Sequence, residues 1–135
     1  TELSEGGYIR RRKNAQKKKI KYKPLEYVTS KGFKVYVGRN NLENDYLTLK
    51  LAGKTDIWFH VKDIPGSHVI CFLEGKEPDE DTILEVARIA AAHSKAKHSS
   101  NVPVDYVSAR YVKKPNGAKP GMVIFTNNKT VYVTP

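Results

Sequence analysis

The sequence predicts an α+β fold, with a single mixed or antiparallel β-sheet backed by one long helix and preceded by a basic arm. Three observations support this prediction. Short segments in which apolar and polar residues alternate recur along the chain, as they do in half-buried strands. One long segment, residues 80–97, has the apolar spacing of a helix, and the first 25 residues are dense in Lys and Arg. Several strands with one helix favour a sheet that the helix covers.

The charge of the chain is strongly positive and unevenly distributed. The 135 residues include 24 basic and 14 acidic side chains, and nine of the basic residues lie in residues 1–25 with only two glutamates. We expect residues 1–25 to be a basic arm, as a linker or the end of an upstream coiled coil, and residues 26–135 to form one domain. This charge favours polyanionic partners, nucleic acid before anionic membrane surfaces. Because no apolar segment approaches the length of a membrane span, we expect no membrane insertion.

The first half of the domain predicts strands separated by turns and by one short helix. Glycine, proline and asparagine mark the turns, and apolar alternation marks the strands. Cys71 lies in an apolar run, so we expect a buried thiol in a reducing, cytoplasmic environment. In order, we predict a turn at Lys31-Gly32, a strand at 33–38, a short helix over 42–47 capped by Asn40 or Asn41, a strand at 56–62, a turn at Pro65-Gly66, and a strand buried on both faces at 68–73.

The second half predicts the long helix and the end of the sheet. Asp79 is the expected N-cap of a helix over 80–97, whose small apolar stripe suits close packing on a sheet. A strand follows Pro103, and a basic loop rich in turn residues spans 113–121. The apolar segments MVIFT and TVYVT then flank residues 127–129, which predicts a closing hairpin.

The segment DIWFHVKDIPGSHVI, residues 56–70, places chemically capable side chains on one face of a strand. Its apolar face is ordinary, but the alternate positions carry a carboxylate, the only tryptophan, an imidazole and an ammonium. That face consists of Asp56, Trp58, His60 and Lys62. The pattern is also typical of an amphipathic strand with one solvent-exposed face, and a lone tryptophan often packs in the hydrophobic core. Both interpretations remain open at this stage.

Catalytic hypotheses find incomplete residue sets. His60 and His68 could face each other across the Pro65-Gly66 turn, and Asp56 or Asp63 could complete a metal site, but no familiar zinc spacing accompanies them. Asp56 and His60 suit the acid–base pair of a nuclease, yet two residues do not specify a reaction. No phosphate-binding glycine loop is present. We therefore expect no catalytic activity, no metal and no cofactor, with a nuclease-like enzyme as the weakest alternative.

Nucleic-acid binding accounts for more of the chain than any other function. Basic residues cluster in the arm and in the 113–121 loop, and Trp58, Tyr36 and Tyr111 are suited to stacking on unpaired bases. Arginine beside asparagine suits phosphate and base-edge hydrogen bonds. The candidate RNA-binding residues are Arg39, Asn40, Asn41, Asp56, Trp58, His60, Lys62, His68, Lys113, Lys114 and Lys119.

Three separated blocks of the chain resemble one known family. They are GRNNLENDYLTLK at 38–50, DIWFHVKDIPGSHVI at 56–70 and VDYVSARYVKKPNGAKPGMVIF at 104–125. In this order they resemble the C-terminal NFACT-R domain of the bacterial RqcH proteins, relatives of eukaryotic NEMF that were formerly labelled fibronectin-binding proteins. The resemblance covers about residues 20–135, and ELSEGGYI near the start is similar to the end of the family's coiled coil.

The resemblance implies a role in ribosome-associated quality control. Family members bind the large ribosomal subunit with a stalled peptidyl-tRNA and recruit aminoacyl-tRNA, mainly alanyl-tRNA, to extend the nascent chain. The expected partners are the large subunit, tRNA and ribosomal RNA, and the family's Asp-Trp-His motif falls on Asp56, Trp58 and His60. The N-terminal domain that the resemblance leads us to expect is missing from this chain. A protein-interaction or adhesion module is the alternative from another class.

Overall fold

A six-stranded antiparallel sheet forms the centre of the computed structural model, which describes residues 21–135. A separate two-stranded ribbon lies beside it. The strands are β1 (Leu25–Val28), β2 (Lys34–Val37), β3 (Ile57–Val61), β4 (Val69–Phe72), β5 (Val102–Ser108), β6 (Val112–Lys113), β7 (Ile124–Phe125) and β8 (Lys129–Val133). The order in the large sheet is β1-β2-β4-β3-β5-β8, and β6 pairs with β7. The predicted α+β fold is confirmed, and every strand pairing in the described residues is antiparallel.

Two helices and two irregular helical segments connect the strands. They are α1 (Asn41–Asp45), a π-helical segment at Tyr46–Leu51, α2 (Glu80–Ala92) and a 3₁₀ turn at Ala109–Tyr111. The side chain of Asn40 accepts a hydrogen bond from Glu43 N, and that of Asp79 accepts one from Thr82 N, so both helices have the predicted type of N-cap. None of the helices in residues 21–135 is long and apolar enough to span a membrane.

The main core lies between one face of the sheet and α2. The apolar face of β3 packs there with Val35, Val69 and the buried Cys71, against the helix stripe that includes Ala87, Ala90 and Ala91. These small side chains let the helix approach the sheet closely, as predicted. Burial raises the pKa of the Cys71 thiol to about 12, which keeps it protonated and inert.

The long helix ends five residues before the predicted Lys97. After Ala92 the backbone pairs with the Pro65-Gly66 turn: Ser67 N donates to His93 O at 3.1 Å and Lys95 N donates to Pro65 O at 3.0 Å. The hydroxyl of Ser94 donates to Ala91 O, which satisfies one of the free carbonyls at the helix end. Tertiary hydrogen bonds to the turn therefore replace the last helical turn.

A second apolar cluster covers the opposite face of the sheet, where the alternation in residues 56–62 predicted polar side chains in contact with solvent or a partner. Its buried members are Leu47, Trp58, Ile70, Val107 and Val112. The π-helical segment and the β6–β7 ribbon supply the cover, with Val123 and Phe125 packed on the cluster. The sheet is consequently enclosed on both faces in this region.

The predicted closing hairpin around residues 127–129 is wrong. β7 pairs with β6, whereas β8 pairs with β5 from Val102 opposite Val133 to Tyr106 opposite Lys129. The split follows from burial, since Phe125 packs on the Trp58 cluster while Val133 belongs to the main core. The basic loop 113–121 begins at the last residue of β6, and the rest of it lies in the connection that joins β6 to β7.

The first strand of the sheet was not among the predicted elements. β1 begins at Leu25, inside the segment assigned to the basic arm, and joins β2 through the predicted turn at Lys31-Gly32. All four of its residues are exposed, so this edge strand buries no side chain in either apolar cluster. Residues 1–20, which carry most of the predicted arm, lie outside the described residues.

Replacement of Gly38 by alanine is expected to destabilise the domain. A Cβ at this buried position would lie 1.9 Å from Asn44 Oδ1, the atom that accepts a hydrogen bond from His68 N. Relieving that overlap requires breaking the hydrogen bond, so we expect the free energy of unfolding to fall by roughly 1 kcal/mol or more. Urea denaturation measures the change. Gly53→Ala is the control, because its nearest contact would be 3.2 Å; equal effects of the two substitutions would contradict this account.

Candidate nucleic-acid interface

A cleft of about 480 Å³ opens where β3, the start of β4 and the residues after the basic loop meet. We call it the central cleft. Its polar and aromatic lining includes Asn41, Trp58, His60, His68 and Asp105. Gly121 closes one side against α1, since a Cβ on this glycine would lie 2.6 Å from Asn41 Oδ1. Several predicted residues from distant parts of the sequence therefore meet at one place.

A second, shallower cleft of about 390 Å³ adjoins the first, and we call it the flanking cleft. The two share Asn41 and the Pro65-Gly66 turn. Its other walls are the β2–α1 connection and the residues after α2, and its polar lining includes Arg39, Asn40, Lys95 and Lys97. Arg39, Asn40 and both lysines are exposed. Cations thus surround the flanking cleft, next to the aromatic central cleft.

Three aromatic rings form a packed group in the wall of the central cleft. The Trp58 and His60 rings are parallel within 6°, with centroids 5.7 Å apart. His68 meets both rings edge to face, at 5.5 Å from Trp58 and 5.6 Å from His60. Both histidines were predicted to face each other, and this geometry is observed. Only His60 of the three is partly exposed.

His68 is a buried, neutral part of the framework. Burial, with a contribution from His60, lowers its pKa to about 4. Its Nε2 lies 3.1 Å from Gly121 O, and a carbonyl only accepts, so Nε2 carries the proton. The other nitrogen, Nδ1, then accepts from the Thr48 hydroxyl at 2.7 Å. His68 fastens the loop that follows the basic residues to the sheet.

His60 lies opposite Asp105 on the neighbouring strand β5. Burial lowers the pKa of His60, while the backbone of Val61 and Gly66 and the charge of Asp105 oppose that shift. Asp105 is only 3% exposed, and its Oδ1 accepts from Asn128 at 3.1 Å and Thr130 at 2.7 Å. Lys62 reaches the same oxygen at 3.5 Å from the surface. The cleft therefore places the imidazole of His60 beside one buried carboxylate.

Besides His68, the structure buries two more of the predicted contact residues. Trp58 is 1% exposed, so an RNA base has no access to its ring face in this arrangement. Asp56 is 8% exposed and lies at the other end of β3, where Oδ1 accepts from Leu73 N and Oδ2 from Gly53 N. The physical reason is the second apolar cluster, which covers the side of β3 that the sequence analysis treated as a contact surface.

Glu43 organises the cationic side of the interface, although its sequence context carried no signal for this role. It is 1% exposed, and it accepts hydrogen bonds from the backbone N and guanidinium of Arg39 and from Lys23 N. The hydrogen bonds from Arg39 hold the pKa of the Glu43 carboxyl below its ordinary value. Tyr22 stacks on Tyr46 at 4.1 Å. The chain therefore enters the domain beside Arg39.

The three predicted lysines of the basic loop have different environments. Lys113 and Lys119 are exposed. Lys114 instead donates to Lys119 O at 2.6 Å and forms an ion pair with Asp45 at 3.1 Å. Asp45 also accepts from Gly121 N. Lys114 holds the loop against α1, while the other two are available to a polyanion.

In the part of the chain that the structure describes, no group of three or more His, Cys, Asp or Glu side chains is arranged to hold a metal ion. His60 and His68 are close, but Asp56 and Asp63 do not join them in such a group.

The two tyrosines that were predicted to stack on bases are not part of the central cleft. Tyr111 is exposed and lies outside it, and Tyr36 packs against Phe72.

Comparison with known proteins decides the family. A family model described as the NFACT protein RNA binding domain matches residues 23–127. The chain belongs to the NFACT-R family. This NFACT-R domain is 53% identical over 137 residues to the Rqc2 homolog RqcH of Bacillus subtilis, and 44% identical over 135 residues to the RqcH of Streptococcus suis. Each alignment covers 99% of this chain and 24% of the relative.

A solved structure has the same fold as this NFACT-R domain. It is the C-terminal part of the fibronectin/fibrinogen-binding protein from Streptococcus suis, with a TM-score of 0.82 and 44% identity. The match covers 99% of this chain and 53% of that one. The predicted family is therefore confirmed, and the chain spans about a quarter of the length of the RqcH proteins that it matches.

Proposed function

We propose that this domain binds RNA across the flanking and central clefts, as the RNA-binding part of a ribosome-associated quality control factor. The observation that carries the proposal is the convergence of exposed cations from three separate segments around the two clefts, in a chain of the NFACT RNA-binding family. These cations are Arg39, Lys95 and Lys97, with Lys113 and Lys119 on the basic loop nearby. Cations contact phosphates, and the cleft receives bases.

The position of each predicted residue supports a division of labour. Glu43 accepts from Nε and Nη2 of Arg39 and holds the guanidinium in place, so Nη1 is the part that suits a phosphate contact beside the amides of Asn40 and Asn41. His60, half-exposed in the central cleft, is the ring that an unpaired base can reach. Trp58, His68 and Lys114 hold these parts in place.

The larger protein is the setting we propose for this contact. RqcH is the printed name of the relatives, and the family resemblance associates such proteins with large ribosomal subunits, peptidyl-tRNA and alanine tailing of nascent chains in the cytoplasm. We propose that this domain contributes RNA affinity to such a factor, with tRNA or ribosomal RNA as its partner. The domain binds without catalysing, because ribosomal RNA performs peptide transfer.

A salt series with single-stranded RNA or tRNA tests the proposal. Affinity should fall steeply with salt, with a log–log slope of roughly −3.5 if about five phosphates are neutralised. The double substitution K113A/K119A should weaken binding and reduce the slope by about 1.4, because each lost phosphate contact removes about 0.7. Both side chains are exposed, so the fold should be unaffected.

The matched control is K54A/K76A. It removes the same charge from two exposed lysines that line neither cleft. Lys54 precedes the start of β3, and Lys76 follows the end of β4. It should change affinity and slope far less. RNA affinity that is absent, or that does not respond to salt, would rule out the proposed function. Equal effects of the two double substitutions would show that the basic loop is not part of the RNA interface.

A protein-interaction module is the second candidate, and two observations favour it. The similar solved structure comes from a protein titled as binding fibronectin and fibrinogen. Near the central cleft, Met122 is 61% exposed and Ile124 is 59% exposed. Binding of fibronectin that survives K113A/K119A and is lost in Ile124→Ser would support this alternative.

A further inference from the structure

One buried carboxylate in the central cleft has an oxygen that the fold does not use. Among the described residues, the hydrogen bonds from Asn128 and Thr130 and the contact with Lys62 all end on Oδ1 of Asp105. Oδ2 accepts none of them. Asp105 is 3% exposed and lines the cleft, so this oxygen is a hydrogen-bond acceptor in a largely desolvated position.

The chemistry around Asp105 excludes a phosphate as the occupant of the central cleft. Asp63 is a second carboxylate in the lining, and two anionic side chains repel phosphate oxygens. The cations lie outside, around the flanking cleft and on the basic loop. The interior therefore offers carboxylate acceptors together with the indole N–H of Trp58, which has no hydrogen-bond partner among the described residues, while the rim attracts anions.

The remaining lining suits a flat, partly apolar ring. His60 offers a half-exposed imidazole, and Pro65, Met122, Val123 and Phe125 supply apolar surface. The volume of about 480 Å³ is within the range of small-ligand sites. An unpaired base of RNA combines a ring that stacks with an edge that hydrogen-bonds.

We infer that the central cleft holds one unpaired base that carries an exocyclic amino group, such as cytosine or adenine, with the amino group donating to Oδ2 of Asp105. The inference rests on the proposed RNA binding and adds base selection to it. A carboxylate accepts from the N4 amino group of cytosine. Uracil carries a carbonyl oxygen at the position of the cytosine amino group, and its only ring donor on that edge is the N3 imino group. It therefore offers Oδ2 fewer donors than cytosine and places an oxygen acceptor where cytosine places its amino group.

Trp58 provides the measurement, because it is the only tryptophan in the chain and it lines the cleft. We would titrate the whole chain with oligo(C), oligo(A) and oligo(U) of equal length and follow tryptophan emission. Equal length gives equal phosphate charge, so differences report the base. We expect oligo(C) and oligo(A) to bind at least about tenfold more tightly than oligo(U).

Asp105→Asn tests the residue itself. The amide keeps an oxygen for Asn128 and Thr130 and presents an NH₂ donor in place of Oδ2. We expect the preference for oligo(C) over oligo(U) to shrink to about twofold or to reverse. If this variant does not fold by circular dichroism, Asp105→Glu takes its place. It keeps the charge and displaces the carboxylate oxygens by one methylene, so the same preference should shrink.

Lys113→Ala is the matched control, because it removes one rim charge and leaves the cleft lining intact. It should weaken all three oligonucleotides by the same factor and preserve their ratio. Equal, salt-dependent affinity for the three would overturn the base inference and leave RNA binding in place. The absence of binding to any of them at low salt would overturn both. A ratio unchanged in Asp105→Asn would overturn the role of Asp105.

Discussion

Replacement of Trp58 by alanine is expected to lower the free energy of unfolding by about 3 to 5 kcal/mol. Trp58 is 1% exposed and stands at the centre of the second apolar cluster, where its ring lies 4.7 Å from Phe125 and 5.7 Å from His60. Alanine would leave a cavity between the sheet and the β6–β7 ribbon. For a domain of this size the loss is a large share of total stability. Urea denaturation at neutral pH measures it.

The control is Tyr132→Ala, which removes an aromatic ring that is 62% exposed. Its expected cost is within about 0.5 kcal/mol, because a surface side chain leaves no cavity. Trp58→Phe should fall between the two. A cost of less than 1 kcal/mol for Trp58→Ala would show that the second cluster is not packed in this way.

This expected loss changes how binding defects at the Asp-Trp-His residues should be interpreted. A double substitution of Trp58 and His60 that abolishes RNA binding would not identify a contact surface, since unfolding alone would produce it. His60→Ala is the informative single change, because His60 is only partly buried. RNA binding and stability should be measured on the same preparation.

Acidification from pH 7 to pH 5 is expected to destabilise the domain by about 2 kcal/mol through His68. Burial lowers the pKa of this imidazole to about 4 in the folded state, against about 6.5 in the unfolded chain. Within that window the unfolded state binds more protons than the folded state. The stability is therefore complete above about pH 6.5 and is lost progressively as the pH falls toward 4. The lowered pKa of His60 acts in the same direction.

Free energies of unfolding from urea titrations between pH 5 and 7.5 test this expectation. His68→Gln should flatten the dependence, although its stability at pH 7 should also fall because Gly121 and Thr48 lose a partner of the right shape. The lowered pKa of Glu43 contributes only below this window. A flat profile in the unsubstituted chain would refute the prediction.

Much of the local structure was predictable because its causes are local. Asn40 and Asp79 cap helices through their own side chains, and the alternation in residues 56–62 sets which side chains share a face of β3. The family was also predictable, since three sequence blocks in order carried it. The burial of Trp58 also has a signal in the sequence. A strand at 68–73 that is apolar on both faces must be covered on both faces, and Ile70 of this strand lies directly opposite Trp58.

The fates of individual site residues were not predictable, because they depend on contacts between distant segments. Lys113 and Lys114 are neighbours of the same type, yet only Lys114 meets Asp45, which lies 69 positions earlier in the chain. No sequence pattern marks Glu43, but its carboxylate joins Arg39 to the start of the domain. No periodicity or motif encodes such pairs.

The sequence by itself determined the fold class, the helix caps, the alternation of β3, the excess of positive charge and the family. The tertiary structure alone decided that Trp58 and Asp56 are buried, that β7 and β8 have different partners, and that a carboxylate on β5 faces His60. The physical reason is that charge and periodicity are properties of adjacent residues, whereas burial depends on which distant segment comes to cover a face.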